Sequence, residues 1–248
     1  IGISSMELAA KTLKPCLLEL GGNDAFIVLA DADLDLAVSE AIAGRLLFSG
    51  QVCCASKRFL VHNSVRETFT NKLITALESV VCGDPLDPAV QVGPVINEEA
   101  AKKIEEQVNR IIEQGGRLLL GGKRNGTFFE ITVLTDVPPT SDVAKDEEIF
   151  GPVIPIIGFD TTQEAISIAN ASSYGLNSCV FSSNASEAMT VAYAMQAGTA
   201  VINGSGLFRS NEMPFGGHKR SGLGTEGTLT SLEECSQLKT IVLKNIIV

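Results

Sequence analysis

Val153-Ile154-Pro155-Ile156-Ile157-Gly158-Phe159 opens the stretch that decides the fold. It is apolar and β-rich, so it reads as a buried strand. Thr162 to Asn170 then reads as a helix, Ser178 to Phe181 as a strand, Ala185 to Ala197 as a helix and Thr199 to Asn203 as a strand. Strands separated by helices of about 10–15 residues imply right-handed βαβ units. The predicted fold class is α/β: a mostly parallel, twisted sheet with helices on both faces.

The same rhythm runs upstream. Leu34 to Phe48 reads as a helix, because Leu34, Ala37, Val38, Ala41 and Ile42 share one face and Asp31 or Asp33 can cap its start. Arg58 to His62 is strand-like, Val65 to Val81 helical, and Asn97 to Gln114 helical up to Gly115-Gly116. Arg117 to Leu120 is another short strand. Two stretches break the pattern. Gly204 to Gly227, rich in Gly and Ser, reads as one long loop, and long loops in compact domains are often functional. Gln237 to Val248 is β-prone without a hairpin partner, so it is expected to pair with another chain at a sheet edge.

Composition narrows the function. A formal charge of -10 in 248 residues argues against nucleic acid, because a phosphate-binding surface needs clustered Lys and Arg. Aromatic residues are 5% and Trp is absent, so bases would find few stacking platforms. No apolar run reaches the ~18 residues needed to cross a bilayer. The opening Ile1-Gly2-Ile3-Ser4-Ser5 has no basic leader and no initiator Met, so the expectation is a fragment or processed chain of a cytoplasmic protein. Six cysteines without a C-x-x-C pair, beside two histidines, read as reduced thiols and argue against a metal site.

Three motifs carry chemistry. Gly50-Gln51-Val52-Cys53-Cys54-Ala55 presents a candidate nucleophile among small residues, with Lys57 and Arg58 close behind to lower its thiol pKa. Leu18-Glu19-Leu20-Gly21-Gly22 places a carboxylate at the end of an apolar strand, where partial desolvation makes it a usable base. Gly21 and Gly22 allow close backbone approach to a ligand. Glu147-Glu148-Ile149-Phe150-Gly151-Pro152-Val153 supplies a second carboxylate and a ring. Gly222-Leu223-Gly224-Thr225-Glu226-Gly227 spells G-x-G-x-x-G, but it follows a loop and no ribose-binding acid lies about 20 residues beyond it. It is not read as a dinucleotide fingerprint.

In this order and spacing, the three motifs resemble the catalytic half of the aldehyde dehydrogenase superfamily. Asn23-Asp24-Ala25-Phe26-Ile27-Val28, where the family usually has Lys after Gly-Gly, is closer to succinate-semialdehyde dehydrogenase-like members. The resemblance implies Cys53 as nucleophile, Glu19 as base, and Glu148, Phe150 and Gly21 as contacts of the nicotinamide end of NAD or NADP, with NAD favoured. It implies Phe215 as a pocket aromatic and Cys54 as a bystander. It makes residues 1–20 a remnant of the cofactor-binding domain, 21–236 the catalytic domain, and 237–248 the strand crossing to a partner in a homodimer or tetramer.

Arg209, in Leu207-Phe208-Arg209-Ser210, is the substrate clue, since Arg grips a carboxylate through two parallel hydrogen bonds. With Ser210 it points to a small anionic aldehyde. Against this, Leu47 stands where succinate-semialdehyde dehydrogenases carry an Arg. Two other readings remain: a coenzyme-A-acylating relative, which has no need of a hydrolytic Glu19, and a catalytically silent assembly module.

Overall fold

The computed structural model describes residues 1–245. Its main sheet has seven strands, in the order Thr199–Ile202, Asn177–Phe181, Asp24–Val28, Ser56–His62, Val153–Phe159, Thr132–Thr135, Arg117–Leu120. Every neighbouring pair is parallel except the last, where Arg117–Leu120 runs antiparallel to Thr132–Thr135. Asp24–Val28 and Asn177–Phe181 are buried along their whole length. This is the pattern of strands covered on both faces.

Two apolar clusters confirm that the sheet is covered on each side. One contains Ala25, Ile27 and Leu60 with Ile104, Val108 and Ala165, from helices Glu98–Glu113 and Thr162–Asn170. The other contains Phe26, Val28 and Phe59 with Ala37, Val38 and Leu73, from helices Leu34–Leu46 and Asn63–Leu77. Alternate residues of one strand thus feed opposite layers. Phe26 packs on both Phe59 and Phe181, at centroid separations of 5.0 and 4.6 Å.

Local signals act as expected at several ends. Asp33 caps Leu34–Leu46 by accepting from the N–H groups of Asp35 and Leu36, and Asn97 and Thr161 cap the helices after them. The strand Val153–Phe159 and the helix Thr162–Asn170 have the expected bounds.

Other bounds are corrected. The first long helix ends at Leu46, not Phe48, because Phe48 and Ser49 take left-handed φ values of 48° and 58° and turn the chain into the Cys53 loop. The next helix begins at Asn63 and ends at Leu77, short of Val81. The helix from Ala185 stops at Ala194, because Met195 is extended. The span Gly204 to Gly227 is not purely loop: His218–Lys219 and Gly222–Leu223 pair antiparallel with Tyr174–Gly175 and Leu18–Glu19. Residues 237–245 form no strand within the chain and are exposed, and 246–248 lie outside the described residues. No described helix is long and apolar enough to cross a membrane. Among the described residues, no group of three His, Cys, Asp or Glu side chains gathers as a metal site.

Candidate active site

Three loops entering adjacent parallel strands carry the motifs. Residues 19–23 lead into Asp24–Val28, residues 50–55 into Ser56–His62, and residues 147–152 into Val153–Phe159. The motifs therefore gather at the amino ends of the strands, opposite to the carboxyl-end clefts usual in open α/β sheets.

Cys53 is a half-buried free thiol. Its pKa is held down to about 6, first by a hydrogen bond with the Cys54 side chain, then by the Lys57 charge and the N–H groups of Cys54 and Cys53. Burial opposes this shift. The same hydrogen bond, with burial, pushes the Cys54 thiol up. The two vicinal thiols are thus shifted in opposite directions.

Lys57 and Arg58 are consecutive on one strand, and the pleat sends them opposite ways. Arg58 serves a cage of carbonyls. It donates to Asn23 at 2.6 Å, Ala144 at 3.0 Å, Ile168 at 3.0 Å and Ala169 at 2.9 Å. Lys57, only 1% exposed, donates to the Cys53 carbonyl and lies 3.0 Å from Glu148 Oε1. Of the two cations behind the thiol, only Lys57 lowers its pKa.

Glu148 is fixed from several directions. Its Oε1 also accepts the Gly22 N–H at 2.9 Å, and Gln107 donates to its backbone carbonyl at 3.1 Å. A Cβ at Gly21 would collide with the carboxylate, so glycine there lets Glu148 lie against the backbone. Arg45, wholly buried, braces the same loop by donating to the Ile149 and Val153 carbonyls at 2.9 and 2.7 Å. The Phe150 ring is 39% exposed, with the Lys57 ammonium 5.2 Å from its centroid. Glu148, Phe150, Tyr174, Lys103 and Ile104 line a cleft of about 490 Å³.

Glu19 lies on a two-residue strand paired with Gly222–Leu223, outside the main sheet. Burial pushes its pKa up to about 7, and the charges of Glu226 and then Cys53 push the same way, against Arg209. Carboxylate and thiol therefore share one electrostatic neighbourhood. Phe215 is buried and exchanges backbone hydrogen bonds with Glu226, at 2.8 and 2.6 Å. The Arg209 guanidinium stacks 3.6 Å from the Phe215 centroid, and its Nη2 lies 4.0 Å from the Glu226 carboxylate. Ser210 is exposed, and its hydroxyl makes no hydrogen bond among the described residues.

Two acids escape the sequence reading. Glu226 sits within the rejected G-x-G-x-x-G, and only the pairing of that segment with Leu18–Glu19 brings it near Glu19. Asp24 is buried beneath the site, where it accepts the Asn177 N–H at 3.1 Å. Its pKa is pushed up to about 7 by burial, against the charge of Lys57. A carboxylate opening an apolar strand was the available signal.

The model of the aldehyde dehydrogenase family matches residues 1–241. A lactaldehyde dehydrogenase of Methanococcus maripaludis is 41% identical over 235 residues, covering 94% of this chain and 50% of that protein. A succinate-semialdehyde dehydrogenase (NADP+) of Deinococcus radiodurans is 41% identical over 243 residues, covering 97% and 50%. The crystal structure of an NAD-dependent aldehyde dehydrogenase from Sinorhizobium meliloti superposes with a TM-score of 0.92 at 38% identity, covering 95% of this chain and 47% of that one. The chain spans about half the length of the curated relatives it matches. With its seven-stranded, mostly parallel sheet and its match over nearly all residues, the chain belongs to the aldehyde dehydrogenase family.

Proposed function

We propose that this chain is the catalytic half of an enzyme that oxidises a small aldehyde to a carboxylic acid with NAD or NADP, through a thioester on Cys53, and that it is inactive without the rest of that enzyme. The observation that supports this most is the gathering of Cys53, Lys57 and Glu148 at the amino ends of adjacent strands, where the Cys54 hydrogen bond and the Lys57 charge lower the Cys53 thiol pKa.

The residues present fit the nicotinamide end of the cofactor. Glu148 Oε2 accepts no protein hydrogen bond among the described residues, so it is free for ribose hydroxyls. Phe150 offers a partly exposed ring beside it, and the missing Cβ of Gly21 keeps the backbone low under the carboxylate. When bound, the nicotinamide would supply a hydride acceptor. Relatives named for NAD and for NADP both match, so the choice between them rests on assay.

The chain's own residues supply the rest. The Cys53 thiolate attacks the aldehyde carbonyl, and its backbone N–H faces the developing oxyanion. Once a thioester stands on Cys53, Glu19 takes a proton from water as the water oxygen bonds to the acyl carbon; the C–S bond then breaks, which releases the acid and restores the Cys53 thiolate. Arg209, stacked on Phe215 and loosely paired, is proposed to face an anionic group on the substrate. Relatives named for lactaldehyde, sulfoacetaldehyde and succinate semialdehyde match at similar identity, so no single aldehyde is singled out. The six free thiols suit a reducing cytoplasm. The exposed Leu238, Ile241, Val242 and Leu243 suit pairing with a second copy.

The test is turnover of an aldehyde panel by the full-length enzyme with NAD+ and NADP+, read as reduced cofactor, with the isolated chain expected to show none. Cys53→Ser is expected to remove nearly all activity, and Cys54→Ser to leave most of it. Equal loss from both, or activity retained in Cys53→Ser, would refute the assignment.

A further inference from the structure

We infer that Lys57 is a positioning residue that ties the nucleophile's loop to the carboxylate proposed to receive the cofactor ribose. A single buried ammonium would then set both the reactivity of Cys53 and the place of Glu148. The inference rests on the proposed roles of those two residues.

The geometry is specific. Lys57 has three N–H donors, and two of its acceptors belong to different motifs: the Cys53 carbonyl and Glu148 Oε1, 3.0 Å away. The same ammonium lies 5.2 Å from the Phe150 centroid. At 1% exposure it cannot exchange these partners for water. Burying a charge is costly unless it is paired and hydrogen-bonded, so a lysine in this place implies a demand on its charge. Core filling alone would be met by methionine. Arg58, one residue on, serves only carbonyls of the scaffold.

The charges around this ammonium set the sign of each substitution. Glu148 and Asp24 face Lys57, while Cys54, Lys57 and Glu19 face Cys53. Removing the ammonium withdraws the cation that favours the Cys53 thiolate. Neutralising Glu148 leaves the ammonium less compensated and favours the thiolate more. A residue that merely filled space would give neither opposite-signed effect.

The experiment is alkylation of Cys53 by iodoacetamide as a function of pH, without cofactor, with the labelled thiol identified by peptide fragmentation. Relative to wild type, Lys57→Met is expected to raise the midpoint by about one pH unit or more, and Glu148→Gln to lower it. In the full-length enzyme, Lys57→Met should also raise KM for the dinucleotide more than KM for aldehyde. If Lys57→Met fails to fold, the double variant Lys57→Met/Glu148→Gln leaves no unpaired carboxylate and should still show the raised midpoint. An unchanged midpoint in a folded Lys57 variant, or an unchanged or raised one in Glu148→Gln, would overturn the inference. Failure of the nucleophile reading is separate, since it appears as activity retained in Cys53→Ser.

Discussion

Gly50 and Gly151 lie back to back, so close that a Cβ on Gly50 would collide with the Gly151 carbonyl. Gly50 also has φ of +77°, a region that L side chains rarely adopt. This contact clamps the Cys53 loop onto the loop of Glu148 and Phe150.

Gly50→Ala is expected to lower the thermal midpoint and slow Cys53 alkylation. The left-handed backbone alone costs an alanine about 1–2 kcal/mol, and the collision adds to that. Gly126→Ala is the control. Its φ is also positive, at +60°, but nothing lies within 4 Å of a Cβ there. If the two variants are equally stable, the clamp is not a real constraint.

Glu19→Gln should separate the two halves of the reaction. A burst of reduced cofactor should persist while steady-state turnover slows by roughly 10²–10⁴-fold, the usual loss for a general base. With the Glu19 pKa near 7, wild-type turnover should fall as pH drops below that value, because the base becomes protonated. The variant should lack this limb. Loss of the burst with normal thiol reactivity would give Glu19 another role.

Arg209→Ala should cut kcat/KM for succinate semialdehyde by ~10–100-fold and spare butanal, since a hydrogen bond to a charged group contributes about 1.5–3 kcal/mol. Equal losses on both aldehydes would make Arg209 a support for Phe215 and remove the anionic preference.

Asp24 should leave a mark on stability. Its folded pKa, near 7, lies above the ordinary 3.8, so the folded state holds the proton more tightly than the unfolded state. Stability from this group is thus greatest below about pH 4 and declines as pH rises to about 7. At about 1.4 kcal/mol per unit, the decline is on the order of 4 kcal/mol. Denaturant melts across this window should show a flatter slope for Asp24→Asn. Parallel slopes would mean that Asp24 stays ionised in the fold.

Sequence legibility followed burial and pattern. Val153–Phe159 and Thr162–Asn170 were readable because an apolar run gives way to helical spacing with a Thr cap. Asp24–Val28, a central strand, was hidden. It opens on a carboxylate inside a motif, and burial on both faces removes the alternation that marks strands. Thr228–Glu234 buries none of its residues, so it carries no amphipathic signal. Within the candidate site, local motifs drew attention to Cys53, Glu19 and Glu148, and the fold places all three just before adjacent strands or on a strand beside them. What they could not show was which of two adjacent cations faces the thiol, or that Glu226 folds back towards Glu19, because both depend on strand pairing between distant segments.

Because the motifs enter from the amino ends of the strands, the opposite rim of the sheet carries none of the motif residues. There Asp31 accepts from the Ser182 hydroxyl at 2.8 Å and the Asn184 N–H at 2.9 Å, and His62 bonds the Asp160 carbonyl at 3.0 Å. For protein engineering, this rim is a handle. A fluorophore or affinity tag grafted at its exposed turns would sit at the far end of the strand that follows Cys53.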